Sequence, residues 1–363
     1  MSNDITNQSY NVMDDNEFQQ LIEQYSQDFS NSQQETDIKY KIIDKINKSY
    51  NIAIVTHLSP DGDAIGASVA LALALESLNK KVDVIIPSQS TNFNILTKNI
   101  NLIKKSYKSY DLTILLDCSS RERTIYQLEE LSKYLVVIDH HTGYNPIGNL
   151  YLCEDQASTT IIIYDLILKM NVAISPLIAT ALYTGIIGDT SYFSNNNVTP
   201  KSLSTAAILL HKGADLKLIN NIFRIKTFDV LKLINEIISN AVLNKEYHII
   251  YAVLLHEDLE RFHLSYDIID CIMKELKNIK EAEIAFLFIE SKNDTKIKVR
   301  SRGYGSMNKI MQYFNGGGHK YAAGASIDSI NIYNIVDIVI SRTIAYIDEH
   351  PEEFNFVHSN EEE

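Results

Sequence analysis

The sequence predicts an α/β protein of two domains: a larger N-terminal domain built on a mostly parallel sheet flanked by helices, joined by a helical linker to a smaller α/β domain. Three observations support this fold class. Short apolar segments alternate with helical ones between residues 38 and 138, which implies right-handed crossovers and parallel strands. A run of helices follows, and the alternation then resumes in a shorter unit. The length of 363 residues also fits two domains of ordinary size.

The elements of the first domain follow from the hydrophobic pattern in chain order. Strands are predicted where apolar residues are continuous, at Ile52–Val55, Lys81–Ile86, Leu112–Leu116 and Tyr134–Ile138. Helices are predicted before and between them, at Tyr40–Ile46, Ala67–Leu78, more weakly near Phe93–Leu102, and at Glu122–Leu131. After Tyr151 the pattern is helical throughout, with helices at Ser158–Met170, Ser175–Ile187, Pro200–Lys212, Leu216–Phe223 and Thr227–Asn240.

The second domain is predicted from a change of pattern after the last of these helices. Its strands are expected at Tyr247–Leu255, Ala282–Ile289 and Lys296–Arg300. Its helices are expected at Leu259–Leu276, Ser306–Phe314 and Ile332–Ile347, with a glycine cluster before the last one. The predicted organisation is an acidic tail (1–38), the first domain (39–224), a linker helix (225–245), the second domain (246–347) and a second acidic tail (348–363).

The net charge of −13 comes from the two tails, which carry 15 of the 46 acidic residues and none of the 33 Lys and Arg. The body between them is near neutral, at about +2, so anionic substrates are compatible with it, whereas a basic track for duplex nucleic acid is not evident. The N-terminal tail has the polar composition of a disordered segment. No segment reads as a membrane span or a signal peptide, so we expect a cytoplasmic protein. The three cysteines lack the close spacing of a disulfide framework or a zinc knuckle.

One segment, HLSPDGDAIG from His57 to Gly66, lies between a predicted buried strand and a predicted helix. Loops at the carboxyl ends of parallel strands are where α/β sheets bind ligands. Imidazole and carboxylate groups together suit a divalent ion such as Mn²⁺, and Asp61 and Asp63 point in different directions, so each could serve a different ion. An ordinary Asp- and Gly-rich surface turn is the alternative.

Further polar residues close other apolar segments. Asp117 follows a predicted strand, Asp139, His140 and His141 follow another, and Asp189 ends an apolar helix. Each has an ordinary explanation, because Asp117 could cap a helix and the others could lie in turns. Buried carboxylates are nevertheless costly unless they are paired or metal-bound. Repetition of the pattern therefore predicts ligands gathered at one edge of the sheet.

The combination resembles the DHH phosphoesterase superfamily over roughly residues 39–347. His57, Asp61 and Asp63 match its first motif, Asp117 its second, Asp139-His140-His141 its third and Asp189 its fourth. The second domain resembles the DHHA1 substrate-binding domain through Val299-Arg300-Ser301 and Gly316-Gly317-Gly318-His319. The layout is most similar to the bifunctional oligoribonuclease and pAp phosphatase subgroup, the nanoRNase type.

The resemblance implies two Mn²⁺ ions per subunit, with Mg²⁺ or Co²⁺ as substitutes. It implies that His57 and Asp61 hold one ion, that Asp63, His140 and Asp189 hold the other, and that Asp117 bridges both. It further implies that Asp139 orients His140 and that His141 faces the scissile phosphate as an electrostatic stabiliser or proton donor. Few protein ligands per ion leave room for water and phosphate oxygens.

For the second domain, the resemblance implies that Arg300, Gly316, Gly317, Gly318 and His319 bind the end of the substrate. Glycines let backbone N–H groups approach an anion closely, and Arg offers a bidentate fork. A flexible turn is the alternative for the glycine run alone. Motion about the linker would then open and close the site. Two positions depart from the family pattern, Asn315 before the glycines and Gly188 before Asp189.

The expected activity is hydrolysis of short oligonucleotides (nanoRNA) to mononucleotides, of 3′-phosphoadenosine 5′-phosphate to AMP, or both. The alternative within the superfamily is a phosphodiesterase for cyclic or linear dinucleotides such as c-di-AMP, pApA or pGpG. A RecJ-like exonuclease and an inorganic pyrophosphatase fit less well. A non-catalytic nucleotide-binding protein is a different class, against which the six intact candidate ligands argue. Expected partners are short single strands or small nucleotides, with neither duplex nucleic acid nor membrane; a homodimer is compatible with the sequence but has no specific support in it.

Overall fold

A computed structural model describes residues 33–355, with the exception of residues 90, 119, 126, 127, 142–146, 329 and 330. The chain divides after Ile225 into two compact units. Most of the two predicted acidic tails, residues 1–32 and 356–363, lies outside the described residues. The first helix begins at Gln33, so residues 33–38, which were assigned to the tail, are helical.

The first unit is built on a six-stranded sheet in which every strand is parallel to its neighbours, as the sequence predicted. The strands are β1 (Asn51–Val55), β2 (Lys81–Ile85), β3 (Leu102–Ile103), β4 (Leu112–Leu116), β5 (Leu135–Asp139) and β6 (Leu150–Cys153). All five residues of both β4 and β5 are buried, as expected for strands covered on both faces.

The strand order is β3-β2-β1-β4-β5-β6, so the direction of chain progression reverses between β1 and β4. Val55 at the end of β1 lies opposite Leu115 of β4 and Ile85 of β2. The carboxyl ends of β1 and β4 therefore meet at the point where the two halves of the sheet diverge. Ligands of open α/β sheets bind in the crevice at such a point.

Helices cover both faces of this sheet. They are α1 (Gln33–Lys48), α2 (Gly62–Ser77), α3 (Asn94–Thr97), α4 (Leu128–Leu131), α5 (Thr159–Lys169), α6 (Pro176–Thr190), α7 (Pro200–His211) and α8 (Leu216–Phe223). Helices α6 and α7 begin with Pro176 and Pro200, after the side-chain caps Ser175 and Thr199. Proline fits the first turn because its missing N–H has no partner there in any helix.

Helices α2 and α6 pack in close contact through two glycines. A Cβ added at Gly66 of α2 would lie 2.4 Å from the carbonyl oxygen of Ala181 in α6. A Cβ added at Gly185 of α6 would lie 2.5 Å from Oδ1 of Asp63 in α2. Because neither position has room for a side chain, the two glycines fix how closely α6 approaches the start of α2.

Some elements of the first unit differ from the prediction. The stretch near Phe93–Leu102 is not one helix: a 3₁₀ turn at Thr91–Phe93 and the short α3 are followed by strand β3. Strand β6 follows the last predicted strand, where the sequence predicted only helices beyond Tyr151. It is a short, half-buried edge strand, and so lacks the continuous apolar run that identifies its neighbours.

The second unit contains a mixed sheet of order β11-β12-β10-β9-β8-β7, in which only β8 and β9 are parallel. Its strands are β7 (Val242–Asn244), β8 (Ile249–Leu254), β9 (Ile284–Glu290), β10 (Asp294–Ser301), β11 (Gly317–His319) and β12 (Ala322–Asp328). Its helices are α9 (Phe228–Ser239), α10 (His256–Arg261), α11 (Ile269–Lys277), α12 (Met307–Gln312) and α13 (Ile332–Glu349). Two hydrophobic clusters lie in this unit, one rich in residues of α13 and the other in residues of α9 and α11.

One prediction for this unit was wrong. The single helix expected over Leu259–Leu276 is interrupted near His263, which adopts a left-handed φ of 53°. In the glycine cluster, for which a flexible turn was the alternative, Gly317 and Gly318 pair with Gly324 and Ala323 in an antiparallel edge hairpin. In the described part of the chain, every helix is too short or too polar to cross a bilayer.

Candidate metal centre

Three of the predicted motifs lie at one edge of the parallel sheet. His57 lies two residues beyond β1, Asp117 directly follows β4, and Asp139 is the last residue of β5. Since β1, β4 and β5 are adjacent and parallel, their carboxyl ends bring these side chains together. The gathering of ligands thus follows directly from the strand order.

The segment between β1 and α2 is shorter than predicted, because α2 begins at Gly62 rather than Ala67. Asp61 is the N-cap of this helix, and its Oδ1 accepts hydrogen bonds from the amides of Asp63 and Ala64 at 3.0 and 3.2 Å. Asp63 itself lies in the first helical turn. The two carboxylates therefore leave the chain in different directions from one rigid helix start.

Three groups of side chains have potential ligand atoms within 4.8 Å of one another. They are His57, Asp61 and Asp117; Asp63, His140 and Asp189; and Asp117, Asp139, His140 and His141. The structure thus brings together all six residues predicted as metal ligands. The first group contains the predicted ligands of one ion with Asp117, and the second contains Asp63, His140 and Asp189, predicted for the other ion, without Asp117.

Asp117 lies at the junction of these groups. Its Oδ2 is 3.7 Å from Nε2 of His57, and its Oδ1 is 3.6 Å from Nε2 of His140. Nε2 of His140 is also 3.2 Å from Oδ2 of Asp189. One carboxylate therefore faces a histidine of each group, as a residue that bridges two ions would have to do.

The backbone of Asp117 adopts a left-handed conformation, with φ of 55°. Only glycine and, less readily, Asn and Asp adopt this conformation without appreciable strain. The side chain is 2 % exposed, and burial, followed by the nearby carboxylates of Asp63 and Asp61, holds its pKa well above the ordinary value. A carboxyl group with a perturbed pKa, on a backbone conformation that few residue types adopt, is typical of functional sites.

Groups at the start of helix α5 form hydrogen bonds to two of the candidate ligands, which the sequence analysis missed. The amides of Thr159 and Thr160 donate to the two oxygens of Asp63 at 2.6 and 3.0 Å. The Thr159 hydroxyl donates to Oδ1 of Asp117 at 3.0 Å. The Ser-Thr-Thr run at the start of a predicted helix was a signal for such an anion-binding terminus.

The histidine pair differs from expectation in one respect. Asp139 accepts hydrogen bonds from the amides of both His140 and His141, but its ring contact is with Nδ1 of His141, at 2.7 Å. The ring of His140 is oriented by the carbonyl of Gln156, 3.0 Å from Nδ1. Asp139 thus orients the ring of His141, whereas the resemblance implied that it orients the ring of His140. The hydrogen bond to Asp139 raises the pKa of His141.

Asp189 lies in the last turn of α6, and the chain after it is unusual. Ser191, Tyr192 and Phe193 all have left-handed φ values, of 45°, 59° and 59°. Asn195 donates to the carbonyl of Asp189 at 2.8 Å, which fixes the residue's backbone. Burial is the main cause that holds the pKa of Asp189 well above its ordinary value.

Arg123 is a second residue that the sequence analysis missed. It ends a 3₁₀ turn, Arg121–Arg123, that follows β4, and its carbonyl accepts a hydrogen bond from the amide of Leu58 at 2.7 Å. Burial, and to a smaller extent the positive charge of Arg123, lowers the pKa of His57. No pattern in the sequence distinguishes Arg123 from Arg121.

The predicted substrate-binding residues belong to the second unit. Arg300, on β10, is half-buried and donates to the carbonyl of Val299 at 3.0 Å. Burial, followed by the charges of Arg300 and Arg302, lowers the pKa of Lys277. Burial lowers the pKa of Arg300 itself, and the carboxylate of Asp270 opposes that change. Gly316 lies just before the hairpin, and Gly317 and His319 are part of β11; the side chain of His319 lies outside the described set.

The donor set fits divalent metal ions. It contains only carboxylate oxygen and imidazole nitrogen, the combination that Mn²⁺ accepts. Burial lowers the pKa of His57, which favours the neutral imidazole that a metal requires. Burial, together with the nearby carboxylates, raises the pKa values of Asp63, Asp117 and Asp189. The positive charge that the protein places beside these side chains therefore does not offset the cost of ionising them. A cation supplied from solution would remove that deficit.

Comparison with known families gives two matches. The model of the DHH family, N-terminal domain, matches residues 51–186, and that of the DHHA1 domain matches residues 246–344. Five of the six candidate ligands fall inside the first match, and Asp189 lies three residues beyond its end. Arg300 and the glycine cluster fall inside the second match.

Individual proteins are similar over most of the chain. The bifunctional oligoribonuclease and PAP phosphatase NrnA of Thermus thermophilus is 29% identical over 300 residues, which cover 81% of this chain and 90% of the relative. The protein of the same name from Bacillus subtilis is 29% identical over 303 residues, covering 80% and 94%. A solved structure, an exopolyphosphatase-related protein from Bacteroides fragilis, is similar with a TM-score of 0.79 at 23% identity, covering 87% of this chain and 96% of that one. This last similarity shows a shared fold.

Proposed function

The chain belongs to the DHH family and carries both the DHH and the DHHA1 domain, and on this premise we propose that it hydrolyses short oligonucleotides to mononucleotides and 3′-phosphoadenosine 5′-phosphate (pAp) to AMP. As a member of this family it is a metal-dependent phosphoester hydrolase. The choice of substrates is supported by the names of the Thermus and Bacillus relatives.

The observation that carries the proposal is the pair of three-donor groups, His57, Asp61 and Asp117 beside Asp63, His140 and Asp189. Two ions, which we propose to be Mn²⁺, would be held by these residues, with Asp117 between them. When bound, such a pair supplies a nucleophilic water and neutralises charge on the phosphoryl group. With Asp117 shared, one ion would have three protein ligands and the other four, which leaves coordination positions for substrate and water.

The remaining residues of the centre orient its ligands and handle a proton. Asp139 Oδ1 lies 2.7 Å from Nδ1 of His141, and this hydrogen bond raises the pKa of His141, which favours the protonated ring. We assign His141 the role of stabilising the departing oxygen, by donating that proton or a hydrogen bond. Thr159 and Gln156 keep Asp117 and His140 in place.

We assign binding of the substrate's terminal group to the second unit. Arg300 forms no ion pair with any carboxylate that the structure describes, whereas Arg302 beside it is paired with Glu283 at 2.8 Å. The charge of Arg300 also acts on Lys277, so two cationic side chains lie near each other there. Such a place attracts a phosphate group, and an Arg fork can bind it through two hydrogen bonds. A terminal contact of this kind favours short substrates over long strands.

The test is turnover of a labelled RNA dinucleotide and of pAp with Mn²⁺, by wild type and by Asp117→Asn. Asparagine retains the left-handed backbone but removes the charge, so we expect activity to fall by at least about 10³-fold, as for loss of an electrostatic group in an active site. The matched control is Asp83→Asn, which alters another buried carboxylate, on β2 of the same sheet. Equal activity of wild type and Asp117→Asn would refute the proposal. Parallel assays with c-di-AMP, pApA and pGpG distinguish the dinucleotide phosphodiesterase alternative.

A further inference from the structure

We propose that the guanidinium group of Arg123 binds a non-bridging oxygen of the scissile phosphoryl group, as the cation that the first unit itself contributes to its substrate. This rests on the proposed phosphoesterase function. Nothing in the six-ligand arrangement requires an arginine at this position. Three features support this role: the backbone position of Arg123, its lack of a partner among the described residues, and the charge balance of the centre.

The backbone places Arg123 beside the first candidate ligand. The amide of Leu58 donates to the Arg123 carbonyl at 2.7 Å, and the Thr124 hydroxyl donates to the carbonyl of Thr56 at 3.1 Å. His57 and Thr124 form an antiparallel bridge. The turn that follows Asp117 is therefore attached to the chain on both sides of His57, and the Arg123 Cα is held next to that histidine.

The side chain of Arg123 has no structural task in the part of the chain that is described. It is exposed, and it forms neither an ion pair nor a side-chain hydrogen bond with the residues described there. Arg121, two residues earlier in the same turn, is different: its guanidinium binds Glu129 at 2.7 Å and the carbonyl of Ile125 at 2.9 Å. One arginine of the pair is thus bound within the protein and the other is available to a ligand.

The charge balance of the centre also supports phosphate binding by Arg123. The four aspartates among the candidate ligands would balance the four positive charges of two divalent ions, which leaves a formally neutral centre. A phosphodiester carries one negative charge, and Arg123, always ionised, would supply the matching positive charge. Its fork can bind two phosphate oxygens at once, with geometry that Lys does not reproduce.

The experiment compares Arg123→Ala and Arg123→Lys with the control Arg121→Ala, each loaded with Mn²⁺. Binding of a non-hydrolysable methylenephosphonate dinucleotide is measured by calorimetry, with bound Mn²⁺ and the melting temperature determined on the same samples. Turnover of the RNA dinucleotide is measured with and without added guanidinium ion at a concentration that leaves the wild type folded.

We expect Arg123→Ala to keep its Mn²⁺ and its melting temperature, to bind the analogue at least tenfold more weakly and to lose about 10²-fold or more in kcat/KM, as for removal of one transition-state donor. Arg123→Lys should recover only part of this loss, and guanidinium should partly restore Arg123→Ala. Arg121→Ala should retain wild-type binding of the analogue and kcat/KM.

Two results would overturn the inference. One is wild-type affinity and kcat/KM in Arg123→Ala. The other is a loss of Mn²⁺ or of thermal stability in Arg123→Ala that guanidinium does not reverse, since Arg123 would then act only by holding the turn. Failure of the proposed function is recognised separately, because the wild type itself would then neither cleave the dinucleotide nor bind its analogue.

Discussion

The carboxylate of Asp63 accepts a hydrogen bond of 2.6 Å from the backbone amide of Thr159, at the start of helix α5. A second amide donor occupies its other oxygen, so the side chain is bound to protein on both sides. The positive end of the α5 dipole stabilises a negative charge there. Asp63 is therefore held by backbone amides as well as being a candidate metal ligand, whereas the contact of Asp189 within the centre is with His140.

This difference predicts unequal effects of two similar substitutions. Asp63→Asn places an amide NH₂ against a backbone N–H donor, and the unpaired groups should cost about 1–3 kcal/mol of stability without metal. Asp189→Asn removes a carboxylate whose pKa burial has raised, so metal-free stability should be unchanged or increased. Both should lose bound Mn²⁺. Urea unfolding in chelator provides the measurement, and equal midpoints for the two variants would contradict this account.

Gly185 and Gly188, one turn apart in α6, should respond differently to alanine. A Cβ at Gly185 would lie 2.3 Å from Cγ2 of Thr160 and 2.5 Å from Oδ1 of Asp63, so it must displace a candidate ligand. At Gly188 the nearest atom would be 3.4 Å away, an ordinary contact. We expect Gly185→Ala to lose about 1–3 kcal/mol and most activity. Gly188→Ala should be neutral or slightly stabilising. Thermal melting measures the stability of the two variants, and turnover of pAp measures their activity. Wild-type stability and activity in Gly185→Ala would show that α6 can move away from α2 to make room for the methyl group.

Removal of metal should make stability depend on pH. Burial raises the pKa values of Asp63, Asp117 and Asp189 in the folded protein. A raised folded pKa contributes stability that is present below the unfolded value of about 4 and is lost as pH rises through the folded value. The metal-free protein should therefore become less stable with rising pH, although the lowered pKa of His57 acts in the opposite direction near pH 6.5.

Mn²⁺ should reverse this trend, because ligands must be deprotonated to bind it. The increase in melting temperature on adding Mn²⁺ should be small near pH 5 and should grow towards pH 8. Calorimetry with chelator and with Mn²⁺, at matched ionic strength, measures the difference. An increase that is the same at every pH would mean that these carboxylates are already ionised in the metal-free protein.

Lys39, on α1, is fully buried and forms a 2.7 Å ion pair with Glu154, directly after β6. Lys39→Met would leave a buried carboxylate without its partner, which should cost about 3–5 kcal/mol. The double variant Lys39→Met/Glu154→Gln should recover part of that loss. Lys48→Met, which breaks an exposed pair with Asp44 on the same helix, should cost at most about 0.5 kcal/mol. Denaturant unfolding of the four proteins tests this prediction, and similar losses in Lys39→Met and Lys48→Met would refute it.

The sequence predicted those parts of the fold in which one physical signal dominates. Strands β1, β4 and β5 are continuous apolar runs because the sheet is covered on both faces. Strands β3 and β6 are short and half-buried, so their pattern does not differ from that of a loop. The glycine hairpin was missed because glycine is depleted from most strands, whereas here Gly316 and Gly318 permit close approach to the backbone of β12.

In the candidate site, too, some residues could be predicted from the sequence and others could not. The six predicted ligands could be found because each is an acidic residue or histidine that closes an apolar segment. The groups that support them could not, since a backbone amide such as that of Thr160 or a carbonyl such as that of Gln156 is present in every residue type. Arg123 and Arg121 look alike in sequence, and only the hydrogen bonds of Arg121 separate them.

The reversal of strand order between β1 and β4 also affects how the protein is made. The candidate ligands span the chain from His57 to Asp189, and those that lie closest in space were synthesised far apart in time. The group of Asp63, His140 and Asp189 is therefore complete only after α6 has left the ribosome, whereas His57, Asp61 and Asp117 all precede it. Until α6 emerges, the nascent chain has no complete pair of ion sites and so no assembled catalyst.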